Sequence, residues 1–156
     1  MFDYLKNLLL PNIEQDVSNA QDNDERIKTA TCVLFIELAR ADGDFSDEEK
    51  LLITDFIKNN FVLSSQSAEE LIQYSELKRK ESLDLYQFTS IINSSFSREE
   101  KFDLMINLWQ LVYSDNILDK YEDYIIKKIG RLLNLAHKEI INTKLLVKEK
   151  IKKENS

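Results

Sequence analysis

The side chains whose types and spacing point to chemistry in this sequence are carboxylates. They gather in two stretches, FIELARADGDFSDEEKLLI at 35–53 and LWQLVYSDNILDKYEDYII at 108–126, which align when the chain is shifted on itself by 73 residues. Leu38 then meets Leu111, Asp42 meets Asp115, Glu49 meets Glu122 and Ile53 meets Ile126. Gly43 meets Asn116, and Ser46 meets Asp119. Each copy reads as a buried helix, an acid, a residue that tolerates positive φ, an apolar plug (Phe45 or Leu118), a cap and a second helix. Oxygen-rich corners of this kind suit hard cations such as Ca²⁺ or Mg²⁺, and one histidine and one cysteine leave little for softer metals. If the corners meet, their carboxylates repel one another and a cation relieves that repulsion. The same acids also serve as helix caps and dipole partners, worth about 0.5–2 kcal/mol apiece. Both readings stand on the sequence. An EF-hand does not, because counting from Asp42 puts Asp47 where Gly is needed and Ile53 where the bidentate Glu belongs.

Other residues carry less. Glu37 lies between Ile36 and Leu38 on the most apolar segment. It reads as a residue of that helix's wet stripe or the partner of a Lys or Arg, with a role beside the Asp42 corner as the sharper alternative. His137 falls near a helix start and forms no convincing pair with a Ser or Cys nucleophile. Cys32, in TATCVLFIELA, reads as a small core residue of a reducing compartment. Trp109 shares helical spacing with Met105, Leu108 and Val112 and reads as core. No Gly-rich loop exists to cradle phosphates.

The elements that must position the acids are helices. Only 2 Gly and 1 Pro in 156 residues leave little room for the tight turns of an all-β domain. Residues 26–41 are apolar nearly all round, as a central helix would be. Ser46…Glu49 is a capping box, and the same signature recurs as Ser67…Glu70, Ser97…Glu100 and Asp119…Glu122. A further helix fits 83–96, where Leu85, Phe88, Ile91 and Ile92 share a face, and the last runs from about His137 into a lysine-rich end. The expected fold is all-α, a compact bundle of about seven helices with a pseudo-two-fold internal repeat. Residues 1–24 read as a short amphipathic helix (Phe2, Leu5, Leu8, Leu9, stopped by Pro11) and an acidic linker. Residues 25–148 form the helical domain, and 149–156 a charged tail.

Charge and hydropathy narrow the partners. With 21 basic and 28 acidic residues the net charge is −7, which repels phosphate backbones and argues against nucleic acid. The N-terminus lacks the basic region and cleavage site of a signal peptide, and no segment approaches the roughly 20 apolar residues of a membrane span. A cytoplasmic protein, not an integral membrane protein, is expected.

The corner ARADGDFSDEEKLLI, the segment SLDLYQFTSIINSSFSREEK, the second corner LWQLVYSDNILDKYEDYIIKKI and the closing LLNLAHKEIINTKLL resemble the TerB family, in its compact single-domain, tellurite-resistance-associated branch. The resemblance covers about 25–148. It implies an α-helical pseudo-two-fold fold, no enzymatic activity, a part in tellurite and stress resistance, and a protein partner in membrane-associated complexes. It also implies divalent-metal binding, which carried onto this sequence points to Asp42 and Glu49 in the first corner and Asp115 and Glu122 in the second. Glu37, Asp44 and Asp119 stand beside them as supporting residues. This chain departs from the pattern at Asn116, where the family reads Gly, and at Gln110, where the branch often has an acid. The alternative reading is a structural interaction domain whose acids only cap helices.

Overall fold

The computed structural model describes the backbone of residues 15–41, 43, 45–115 and 119–154, and their side chains from residue 23 on, Asp115 apart. The described residues form seven α-helices and no strand: α1 (Gln15–Ala39), α2 (Asp47–Phe61), α3 (Ser65–Glu81), α4 (Tyr86–Ser95), α5 (Arg98–Val112), α6 (Lys120–Leu132) and α7 (His137–Glu154), with a 3-10 turn Tyr113–Asp115 after α5. The first apolar stretch, at Phe2 to Leu9, lies outside the described residues.

The second half of α1 is the centre of the bundle because from Thr29 to Ala39 its sequence has almost no polar face to show. Cys32, Val33, Leu34, Ile36 and Leu38 are fully buried and Phe35 nearly so, and α1 touches α2, α3, α4, α5 and α6. Burial of each such large aliphatic or aromatic side chain is worth about 1.5–3 kcal/mol, so this one helix carries much of the core. Phe35 meets Phe56 of α2 with ring centroids 4.5 Å apart. The Cys32 thiol is pushed up to about 12 by burial, which the Ser75 hydroxyl offsets only in part, so it is a core group and not a nucleophile.

Four boundaries differ from the sequence reading, each for a local reason. The expected linker to residue 24 is helical from Gln15. Lys28 pairs with Asp24 (2.9 Å) and Glu25 (3.6 Å) one turn back, which supports the helix there. The third helix is capped by Ser64, whose Oγ accepts from the Ser67 amide at 3.1 Å, so the cap is not Ser67. Three serines in four positions offered the choice, and Val62 in the left-handed region (φ 52) turns the chain in time for the earlier one. α4 is shorter than 83–96, because Leu83 and Asp84 sit in the turn that Asp84 closes onto the Tyr86 amide. The tail from 149 is continuous with α7 as far as Glu154, and Ile151 packs half-buried against the core.

The internal repeat extends well beyond the two acidic stretches. Shifted by 73 residues, the end of α1 falls on the end of α5, the start of α2 on the start of α6, and the start of α3 one residue inside α7. The chain is therefore two three-helix units, α1–α2–α3 and α5–α6–α7. They pack by pseudo-two-fold symmetry: α1 lies against α6 and α5 against α2, while α1 and α5 touch each other. α4 joins the units and rests on α1 and α6.

Candidate functional site

The first corner is built by the end of α1 and the capping box of α2. The Arg40 amide donates to Ile36 O (2.9 Å) and the Gly43 amide to Arg40 O (3.0 Å), closing the turn. Gly43 has φ +96 and nothing within 4 Å of where a Cβ would stand, so glycine is needed here for its backbone and not for space. Ser46 Oγ accepts from the Glu49 amide at 3.1 Å, and Glu49 Oε1 accepts from the Ser46 amide at 3.2 Å. Both arms of the box are present, which gives the Glu49 carboxylate structural work at the head of α2. Asp42 and Asp44 lie outside the described residues.

The second corner follows α5. The 3-10 turn Tyr113–Asp115 continues the helix, and Asp119, with extended backbone (φ −76, ψ 144), accepts from the Tyr121 amide at 2.7 Å. That bond goes to the second helical residue, whereas Ser46 reaches the third. Glu122 is only 6% exposed, in the first turn of α6 at the position equivalent to half-buried Glu49. A carboxylate so deep is uncommon, and the positive end of the α6 dipole favours it there. The Asp115 side chain and residues 116–118 lie outside the described residues, and with them the turn expected at Asn116 and the plug Leu118.

The two corners are linked through their helices. Gln110 and Leu111, at the end of α5, line a recess of about 80 Å³ together with Phe35 and with Leu52, Ile53 and Phe56 of α2. The helix entering the second corner thus lies against the helix leaving the first. Among the described residues no three His, Cys, Asp or Glu side chains converge as a metal-binding group.

Glu37 pairs with an arginine, as one reading of its sequence setting expected, within a wider network that the sequence did not show. Arg79 Nη1 on α3 donates to Glu37 Oε2 at 3.1 Å, and Arg40 Nε donates to Glu76 Oε1 at 2.6 Å. Arg79 also lies 3.7 Å from Glu76, so two acids and two guanidinium groups tie the end of α1 to α3. The Arg40 guanidinium sits 5.1 Å from the Phe45 ring centre, so one side chain braces both the network and the corner's apolar plug. The available signal was two acid–arginine pairs, Glu37/Arg40 and Glu76/Arg79, each three apart on one helix face.

The second unit has its own polar support. Buried Trp109 donates from Nε1 to Thr143 Oγ1 (3.1 Å), which donates on to Ile140 O (2.6 Å). Lys144 lies over the Trp109 ring and 3.4 Å from Asp123, which also pairs with Lys127 at 2.7 Å. Burial alone would raise the Asp123 carboxyl, but the two lysines hold it below the usual carboxylate range. His137 is exposed at the head of α7.

A duplicated three-helix unit with an acid-bearing corner in each copy defines an all-helical domain of paired corners. The chain belongs to the TerB family: the family described as tellurite resistance protein TerB matches residues 28–145. No match was found among curated proteins or among solved structures. No helix among the described residues is long and apolar enough to cross a membrane.

Proposed function

We propose that this TerB-family protein is a non-enzymatic, cytoplasmic stress-response module of the tellurite-resistance type. In this reading its acidic corners hold a divalent cation of the Ca²⁺ or Mg²⁺ class through Asp42, Glu49, Asp115 and Glu122. The observation that carries the reading is the equivalence of the corners. Glu49 and Glu122 occupy the same place in the first turns of α2 and α6, each seven residues after the acid of its own corner. Oxygen donors alone, at the heads of two helices from packed units, are the donor set of a hard cation. Cation binding would also stabilise the fold by mass action.

A second reading is favoured by the complete Ser46–Glu49 box and the Asp119 cap, which engage Glu49 and the neighbouring Asp119 in starting helices. In it the domain is a purely structural interaction module. Calorimetric titration of Ca²⁺, Mg²⁺ and Zn²⁺ into the full chain, and into the double variant Asp42→Asn with Asp115→Asn, separates the two. Cation binding predicts heat and a raised melting temperature with the oxygen-preferring ions, both lost in the variant. The absence of heat and of any melting shift with all three ions rules the cation out.

A further inference from the structure

The pseudo-two-fold relation of the units leaves one helix unmatched. α4 rests on α1 and α6 through buried Leu85, Phe88 and Ile92. The symmetry turns α1 into α5 and α6 into α2, so the equivalent seat is the groove between α5 and α2. Among the described residues no helix covers that groove. It is a cleft of about 220 Å³ whose apolar walls include Phe56, Phe61, Phe96 and buried Leu104. The recess beside Phe35 and Gln110 shares Phe56 and Asn107 with it, so the two lie side by side along α5.

The seats differ in charge, and the difference specifies the occupant. Ala30, which lines a cleft with Phe88 and Ile91 of α4, corresponds by the 73-residue shift to Asp103, and Leu34 corresponds to Asn107. Glu100 also lines the groove, though its carboxylate already accepts from the Ser97 amide. Asp103 is exposed and makes no ion pair with a described residue. The nearby cations are engaged: Lys28, which lies over the Phe61 ring, is neutralised by Asp24 and Glu25, Lys101 donates to Leu133 O, Arg98 pairs with Glu139, and Lys58 donates to Ser65. An acid-edged groove with aromatic walls suits an amphipathic helix whose apolar stripe is flanked by lysine or arginine.

We propose that the α2–α5 groove is the docking site for a basic amphipathic helix of a partner protein, seated as α4 is seated on α1 and α6. The probe is a dye-labelled synthetic helical peptide with leucines at the spacing of Leu85, Phe88, Ile91 and Ile92 and lysines on its flanks, titrated against the full chain by fluorescence anisotropy. A control peptide carries glutamate for each lysine. The lysine peptide should bind, weaken as salt rises, and lose roughly tenfold in affinity when Asp103→Lys or Asn107→Lys is introduced. Glu149→Lys, at an exposed position of α7, should leave it unchanged. Equal binding of both peptides, or indifference to both groove variants, overturns the proposal. So does binding that emerges only after Leu5→Asp, which would give the groove to the chain's own N-terminal segment. Sedimentation showing a dimer that Asp103→Lys dissociates would give it to a second copy, and overturns the proposal equally.

Discussion

Gly130 offers the sharpest test of how tightly α6 is packed against α7. It is buried in α6, and a Cβ built on it would stand 2.6 Å from Ile140 Cδ1, 2.7 Å from Ile140 Cγ1 and 3.3 Å from Met105 Cε. Carbon atoms prefer about 3.5–4.0 Å, so α7 would have to move away by about 1 Å. Ile140 and Met105 are both fully buried, so neither can swing out toward solvent. Alanine in a helix interior gains about 1 kcal/mol over glycine, whereas overpacking a filled core costs about 1–3 kcal/mol. Gly130→Ala should therefore lower stability by about 1 kcal/mol, against its helix propensity. Ile140→Ala alone should cost about 2–5 kcal/mol as a cavity. In the double variant the added methyl fills part of that cavity, so the two losses should fall short of additive by about 1 kcal/mol or more. Urea unfolding followed by far-ultraviolet circular dichroism and by Trp109 fluorescence measures all four corners of the cycle. Trp109 bonds Thr143 of α7, so its emission reports on the α7 contact itself. A Gly130→Ala protein more stable than the parent, or losses additive within about 0.3–0.5 kcal/mol, would refute the argument.

Two further outcomes follow from the same kind of reasoning. Val62 is a β-branched residue with φ 52 and ψ 59 at the end of α2, and it is 89% exposed, so it packs against little. Val62→Gly should raise the urea midpoint, with a gain of about 0.5–1 kcal/mol once the glycine's extra chain entropy is subtracted; an unchanged or lower midpoint would show that the side chain has a contact worth keeping. Asp123 titrates below the ordinary carboxylate range, so the stability it adds is complete above the unfolded value of about 3.9 and is lost as pH falls through its lower folded value. Asp123→Asn should thus melt lower than the parent at pH 7, by about 1 kcal/mol for an ion pair that solvent still partly screens. The two melting curves should converge in strong acid, and a gap of the same size at both pH values would place the effect in packing.

The helices were legible because their signals are local. Two capping boxes, the all-apolar run of α1 and the face of α4 each name an element without reference to the rest of the chain. Boundaries failed where local chemistry offered equal choices, as among Ser64, Ser65 and Ser67, or where the sequence of a helical segment carries little apolar pattern, as over residues 15–24. The candidate site was half legible. The spacing of its acids is written in the sequence, and the alignment that relates the two corners survives in the packed units. What no single segment shows is pairing between helices. Glu37 meets Arg79 on α3, and Asp123 meets Lys144 on α7, because tertiary packing brings separate faces together.

The repeat also explains why the two corners are not interchangeable. By the 73-residue shift Gly130 and Ile140 correspond to Ile57 and Ser67. The large residue stands on the second helix in one unit and on the third in the other. Each unit can keep its second and third helices packed, yet neither residue of this pair can be exchanged for its twin's alone. The same divergence runs through the polar groups. The first corner is braced from α3 by Arg40 and Glu76, while α6 is braced from α7 by Lys144 through Asp123. It also separates the acids, since Glu49 is half-buried and bound into a box, whereas Glu122 lies deep at the head of its helix. A duplicated unit that has kept its backbone while redistributing its charges in this way can give its two halves different work. Binding at the corners and docking in the α2–α5 groove are then separable by mutation. Asp42→Asn with Asp115→Asn should leave the groove's peptide affinity intact, and Asp103→Lys should leave any cation heat unchanged.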